Sequence, residues 1–358
     1  MKKRYRTLML GCGNMSGAWL GSVRDFFSDR VEIVGLVDLN AENAARRAAD
    51  FGLENAPVSV SLDAALRDLR PDVVFNCTVP DAHLGTCRQA LLAGCHVLVE
   101  KPLATSVAES GELVRLAEQA GRRLVVIQNR RYLPGAMTAR QALAQGVIGT
   151  LHTVCVDFFL APRFGGFRDA MQSPLLLDMA IHTFDQGRFL TGLNPQKVTC
   201  HEFNPPGSWY AHSASAIATF EMTGGVVFNY RGSWCARGFP TAWAGAWRII
   251  GTEGTLLWDG ENSILAERVA GARDGQAFFE PVEKVTIPPL AVLPAEKEHA
   301  GNIGEFLDCL DSGAVAQTAA SDNILSLAMV EAAISSARTS AAVSIPSLLP
   351  FPTLPQIP

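Results

Sequence analysis

Two stretches of the chain hold side chains whose types and spacing suit proton transfer. The first is Glu100-Lys101-Pro102, directly behind the apolar run His96-Val97-Leu98-Val99. A lysine at the end of a buried strand, with a proline behind it to fix the backbone, can aim an amine into a crevice and stabilise developing negative charge. The plainer alternative is a solvated charge at a strand end, since perturbed, buried lysines are uncommon. The second is Asp178, His182 and Asp185, at i, i+4 and i+7 of the mostly apolar segment 173–185. That spacing predicts a shared helix face. Buried polar groups are costly, so the face either lines a site or is a surface stripe. In a site, the imidazole exchanges a proton near neutral pH and a carboxylate one turn away orients it. No cluster of Cys and His accompanies them to complete a metal shell, and no metal is expected.

These groups need elements to place them, and the strongest lies at the start. The apolar run Arg6-Thr7-Leu8-Met9-Leu10 climbs into Gly11-Cys12-Gly13-Asn14-Met15-Ser16-Gly17 and then a helical segment. A second apolar run, 31–38, ends in Asp38. Strand, glycine turn, helix, strand and acid form the dinucleotide-binding fingerprint. Gly11 permits the tight turn, Gly13 leaves room for a pyrophosphate, and the N-terminus of the helix attracts it. Asn14 and Met15 open that helix beside the expected cofactor. Ser16 stands where the third glycine of the pattern belongs and is small enough for close packing. Asp38 suits a ribose diol and would repel a 2′-phosphate, and Leu39-Asn40 brings no arginine to receive one. NAD is therefore favoured over NADP.

The chain of 358 residues is comfortable for two domains. Apolar residues are 48% and charged residues 18%, with a net charge of −5, which argues against nucleic acid or an acidic membrane as partner. The eight cysteines form no C-x-x-C pair and read as buried thiols of a reducing compartment. With no signal-like leader and no run approaching the roughly 18 apolar residues of a span, the expected location is cytoplasmic.

Six strands alternate with helices through residues 1–128, predicting a doubly wound parallel sheet. Asp81 and Ser106 are expected helix caps, the latter in a capping box with Glu109. Ligands of such sheets gather at the carboxyl ends of the strands. Thr78, Pro80, His83, Glu100, Lys101 and Asn129 are thereby expected around the cofactor, and Arg131 and Tyr132 near the substrate. Residues 129–346 read as a second α/β domain on an open, mostly antiparallel sheet, and 347–358 as a proline-rich tail, extended or disordered. Five of the six tryptophans fall in the second domain, mostly as core. Trp234, in a loop behind a strand, is the preferred exception for stacking on a sugar. Arg163, in a glycine-containing loop, is a further candidate for substrate contact, with Arg168.

The pieces GCGNMSG, VEKPLA (99–104), NRRYLPG (129–135), GVIGTLHTV (146–154) and LLDMAIHTFD (176–185) together resemble the glucose–fructose oxidoreductase / inositol dehydrogenase / MocA family over nearly the whole chain. The resemblance implies a Rossmann domain, a bound nicotinamide cofactor, a sugar or polyol substrate, and homodimers or homotetramers formed through the second sheet. It also implies that Lys101 lies beside nicotinamide and substrate, and that Asp178 and His182 complete the catalytic set. Ser173-Pro174-Leu175 and Ala180 stand where members often have glycines. A dehydrogenase acting on a secondary alcohol is the expected activity. An NAD-assisted glycoside-cleaving enzyme and a non-enzymatic sugar or nucleotide sensor are its rivals.

Overall fold

A computed structural model describes residues 3–271 and 278–350. Two compact units divide the chain: Met1–Tyr132 with Val292–Leu327, and Leu133–Ala291 with Ala328–Ile357.

The first unit carries a parallel sheet of β1 (Tyr5–Leu10), β2 (Val31–Val37), β3 (Val58–Ser59), β4 (Val73–Asn76), β5 (His96–Val99) and β6 (Leu124–Val126), ordered β3-β2-β1-β4-β5-β6. Its crossovers are α1 (Asn14–Phe26), α2 (Ala41–Asp50), α3 (Leu62–Leu69), α4 (Pro80–Leu92) and α5 (Val107–Ala120). Every residue of β4 is buried, as a central parallel strand covered on both faces requires. The strand order reverses between β1 and β4, so their carboxyl ends flank the switch point where such sheets bind ligands. Ser61 caps α3 by accepting the Ala64 N–H, and Gly121 closes α5 in the left-handed region at φ +61°. Two expected caps differ. Asp81 lies in the first turn of α4, whose N-cap is Val79 with Pro80 behind it, because a proline needs no partner for a missing N–H. Ser106 caps α5, but Glu109 turns instead to the Thr105 N–H and hydroxyl, so only half of the capping box forms.

The expected uninterrupted second domain over 129–346 is corrected by the return of 292–327 to the first unit. Within it, α9 (Glu298–Ser312) lays Ile303, Phe306 and Leu307 into the cluster of Met9, Trp19, Phe27 and Phe75. Phe75 meets Trp19 edge-on at 5.3 Å and Phe306 at 6.4 Å. Arg30, 6% exposed, ties the same helix down through Asp308 and Asp311, each at 2.7 Å. Arg131 and Tyr132, expected near substrate, serve this docking. Arg131 is 1% exposed, with Nη2 2.7 Å from Asp322 and Nη1 donating to the Gln317 carbonyl. Tyr132 donates to Glu305 and accepts from Asn302 at 3.2 Å.

The second unit contains α6 (Pro134–Ala144), β7 (Leu151–Phe159), the short α7 (Phe167–Ala170), a π-helical turn (Leu175–Ala180) running into α8 (Ile181–Thr191), then β8 (Pro195–Phe203), β9 (Ser215–Met222), β10 (Val227–Ser233), β11 (Ala246–Gly251), β12 (Gly254–Trp258), β13 (Ile264–Val269) and β14 (Val282–Val285). The helix α10 (Ala320–Thr339) starts in the first unit and ends in the second, and β15 (Val343–Ser344) completes a nine-stranded sheet. Its order is β14-β13-β12-β11-β7-β10-β9-β8-β15, antiparallel except for β7 beside β10. One face is covered by α8, whose Phe184 meets Phe220 and Tyr230 edge-on at 4.8 and 5.1 Å. Such pairs contribute about 0.5–1.5 kcal/mol beyond area burial. Trp247 and Trp258 stack with Phe228 in the core, as expected of most tryptophans here. At the start of the expected tail, Ser347 and Leu348 lie in a 3₁₀ turn (Pro346–Leu348), and residues 351–358 lie outside the described residues. Among the described residues, no helix is long and apolar enough to cross a membrane.

Removing one partner of a buried ion pair strands the other charge. Arg131→Ala is expected to lower the stability of the first unit by about 3–5 kcal/mol, read from urea unfolding.

Candidate functional site

In the first unit the glycine turn is set by steric need. Gly11 has φ +82°, and a Cβ there would stand 2.7 Å from the Cys77 carbonyl carbon and oxygen. Gly13 is the N-cap of α1, exposed, with nothing within 4 Å of the place a methyl group would take and no side chain capping the helix. Asn14 and Met15 are exposed beside it. The opening helix thus keeps its first N–H groups without a side-chain cap, next to a space that a glycine leaves clear, which fits a diphosphate. Ser16 is buried and donates 2.6 Å back to the Gly13 carbonyl, so the missing third glycine is replaced by a small, satisfied side chain. Asp38 accepts from the Cys12 N–H at 2.8 Å and the Asn40 N–H at 2.9 Å, fixing a carboxylate beside the turn. Burial, with Asp38 adding to it, pushes the Cys12 thiol up to about 12, so it stays protonated. Arg47 of α2 also holds the turn, donating to the Gly13 carbonyl at 2.8 Å. Nothing in its sequence spacing announces that clamp.

Three expected cofactor contacts have another occupation. His83 is fully buried, with Nδ1 2.7 Å from the Pro102 carbonyl and Nε2 3.0 Å from the Thr78 carbonyl. Burial lowers its pKa against those two acceptors, which favour the charged ring. It clamps the end of β4 to the turn after β5. Glu100 accepts from Trp19 Nε1 at 2.9 Å and from the Lys101 N–H at 3.2 Å, and burial raises its pKa while the Lys101 charge opposes. Thr78 is turned in towards Asn76, whose Oδ1 takes its N–H and hydroxyl at 3.1 and 2.7 Å. These residues therefore hold the turn that presents half-buried Lys101, through a cis Lys101–Pro102 bond. Pro80 is exposed at the start of α4, and Asn129 is half-buried at the start of the 3₁₀ turn that follows β6.

In the second unit Asp178 lies in the π turn and His182, 7% exposed, in the first turn of α8. The expected single face is corrected there. A π turn closes i to i+5 and shifts the phase of the helix behind it, and such turns recur at functional sites. Asp178 accepts from Arg168 Nε at 2.7 Å. Asp185 instead points into the core, 1% exposed and 3.9 Å from the buried Arg188. Trp234 is also corrected: at 1% exposure, packed on Phe164 at 5.3 Å and Tyr210 at 5.8 Å, it offers no open face. Arg163 is exposed, its guanidinium 4.2 Å from the Trp209 ring centre.

Glu202 was not singled out from sequence. Its Oε2 accepts from the Ser173 hydroxyl at 2.8 Å, its Oε1 is buried without a partner, and burial pushes its carboxyl up to about 7. Ser173, at φ +46°, immediately precedes Pro174 and the π turn. The available signal was an acid at an inward position of β8, in phase with buried Val198. Among the described residues, no three His, Cys, Asp or Glu gather to hold a metal.

A Rossmann sheet with an open glycine turn, in a chain carrying a second unit on a mostly antiparallel sheet, is the architecture of two-domain nicotinamide-dependent oxidoreductases. Comparison with known proteins narrows this. Residues 5–128 match the oxidoreductase family, NAD-binding Rossmann fold, and residues 136–257 match the GFO/IDH/MocA C-terminal domain. The chain belongs to the Gfo/Idh/MocA oxidoreductase family. It is 28% identical to D-apiose dehydrogenase of Paraburkholderia graminis over 352 residues, 97% of this chain and 91% of that one. It is 25% identical to the rhizopine catabolism protein MocA of Rhizobium meliloti, over 92% and 94% of the two chains. An Agrobacterium radiobacter oxidoreductase crystallised with NAD+, L-tartaric acid and magnesium shares the fold at TM-score 0.83 and 20% identity, over 97% of this chain and all of that one.

Gly13 has backbone angles open to any residue and free space at its Cβ. Gly13→Ala is expected to leave the melting temperature unchanged while weakening NAD binding about tenfold or more, read by calorimetry. Glu202 titrates near 7 in the folded chain against an ordinary 4.5. Between those values the folded state binds more protons, so its contribution to stability is full below 4.5 and is lost as pH rises to 7. The melting-temperature difference between Glu202→Gln and the wild type is expected to shift in favour of the variant across that window and then level off.

Proposed function

We propose that the protein is an NAD-dependent dehydrogenase that moves a hydride between nicotinamide and a secondary alcohol, or its ketone, of a sugar, cyclitol or sugar derivative. The observation that carries this reading is the held presentation of Lys101: His83 and Glu100 fix the turn on either side of it at the ligand-binding end of the sheet. D-apiose dehydrogenase, one of the relatives, supports the substrate class. When bound, NAD supplies the hydride acceptor. Lys101 donates to the substrate oxygen and stabilises its negative charge. The imidazole of His182 takes the hydroxyl proton on oxidation and returns it on reduction. Asp178, its carboxylate held by Arg168, orients that imidazole or a neighbouring hydroxyl. Asp38 would repel a 2′-phosphate, which favours NAD over NADP.

Assembly belongs to the same proposal. The outward face of the nine-stranded sheet has a concavity of about 740 Å³, with Ile217, Leu257 and Leu265 beside the paired Arg231 and Asp157. A second copy of the chain is the occupant proposed for that face.

NADH absorbance over a panel of sugars, cyclitols and glycosides tests the activity. The expected outcome is turnover that falls by about 10²-fold or more in Lys101→Met and His182→Asn, with NAD affinity unchanged. Full turnover in Lys101→Met would refute the reading. Aglycone release without net NADH would establish the glycoside-cleaving alternative instead.

A further inference from the structure

Three loops of the second unit leave the same end of its sheet. β7 and β10 run parallel with Phe159 beside Ser233, and the β8–β9 connection starts at Phe203, whose partner Ser215 also pairs with Ser233. The loops are tied together. The Pro162 carbonyl accepts from Trp209 Nε1 at 3.1 Å and from the Tyr210 hydroxyl at 2.9 Å. Arg237 donates to the Gly207 carbonyl at 3.2 Å, and Cys235 Sγ lies 3.2 Å from Ser208 Oγ.

At the centre stands Trp209. The guanidinium of Arg163 lies 4.2 Å from its ring centre and that of Arg237 lies 5.9 Å away. Both arginines are exposed, and among the described residues neither is in an ion pair. The loops contain three arginines, and their one aspartate, Asp169, has its Oδ1 buried. The charge of Arg168 is taken up by Asp178 at 2.7 Å, and among the described residues neither Arg163 nor Arg237 has an acidic side chain within ion-pair distance. Two like charges on one indole repel each other. A guanidinium stacked on an aromatic ring points its remaining N–H groups outward in its own plane, and Arg237, with one N–H given to Gly207, keeps others for a ligand. The complement of two such forks is a carboxylate or a phosphate ester.

The link to the catalytic helix is Arg168. It holds Asp178 and lies over Phe164 and Phe167 at 5.1 and 4.8 Å, and Phe164 is the chain neighbour of Arg163. We propose that Arg163 and Arg237, steadied by Trp209, recognise an anionic group on the substrate, so that the protein prefers acidic sugars to their neutral counterparts. Uronates, aldonates and sugar phosphates share that chemistry. This rests on the dehydrogenase reading above for the reaction, while the anion site itself stands on the arginines.

The test compares matched probes on the NAD-loaded enzyme: glucose with glucuronate and glucose 6-phosphate, galactose with galacturonate, and inositol with an inositol monophosphate. NADH formation and calorimetric binding are both recorded. An acidic member is expected to exceed its neutral partner by about tenfold or more in kcat/KM, chiefly through KM. That ratio collapses in Arg163→Ala/Arg237→Ala and is partly restored in Arg163→Lys/Arg237→Lys, which keeps charge but loses the fork. The carboxylate and phosphate arms identify which anion is read. Neutral partners that match or exceed the acids throughout, or a ratio unmoved in the alanine variant, overturn the proposal. Arginine-dependent binding of acids without NADH from any probe keeps the anion site and overturns the dehydrogenase reading. Absence of both binding and turnover overturns the proposal.

Discussion

The first unit depends on one close approach. At the switch point, the end of β1 passes so near the end of β4 that a single methyl group on Gly11 would overlap the Cys77 carbonyl. This contact sets where the glycine turn begins and therefore where α1 points. Asp38 then bonds the Cys12 N–H from β2, and Arg47 bonds the Gly13 carbonyl from α2. On the other side, Trp19 of α1 reaches Glu100, whose second oxygen holds the Lys101 amide. The open glycine turn and the presentation of the amine are thus two ends of one hydrogen-bonded chain. Displacing β1 from β4 would disturb both.

Much of this was legible because it is local. A buried parallel strand must be apolar throughout, a tight turn against backbone needs glycine, and helix caps have few solutions. The runs at 73–76 and 96–99, the turn at 11–17 and the caps at Ser61 and Gly121 obey those rules directly. Lys101 stands out in sequence by its place behind a buried strand, and Asp178 with His182 by an i, i+4 spacing in an apolar segment.

The misses are tertiary. His83, Glu100, Arg131 and Tyr132 lie at or near strand ends, where ligands gather, and sequence position cannot tell a side chain facing a ligand from one bracing the loop behind it. Each proved to have a partner distant in the chain: Pro102, Trp19, Asp322 and Glu305. Asp185 and Trp234 were misplaced for a related reason. The π turn before α8 shifts Asp178 out of phase with both His182 and Asp185, and Asp185 lies 3.9 Å from the buried Arg188. A tryptophan near a loop looks available until its neighbours are known. Glu202 escaped notice because its importance lies in Ser173 and its own burial, neither of which a strand pattern reveals.

The return of residues 292–327 to the first unit bears on how the chain is made. Folding during synthesis proceeds from the amino end, domain by domain. Here the segment that supplies Phe306 to Trp19 and Phe75, and Asp308 and Asp311 to Arg30, leaves the ribosome only after the whole of β7 to β14. The nucleotide-binding half must wait, with an apolar surface still uncovered, while β7 to β14 of the other unit emerge. The chain is a nested design: the later-beginning unit can gather most of its strands first, and the earlier one is sealed only after them.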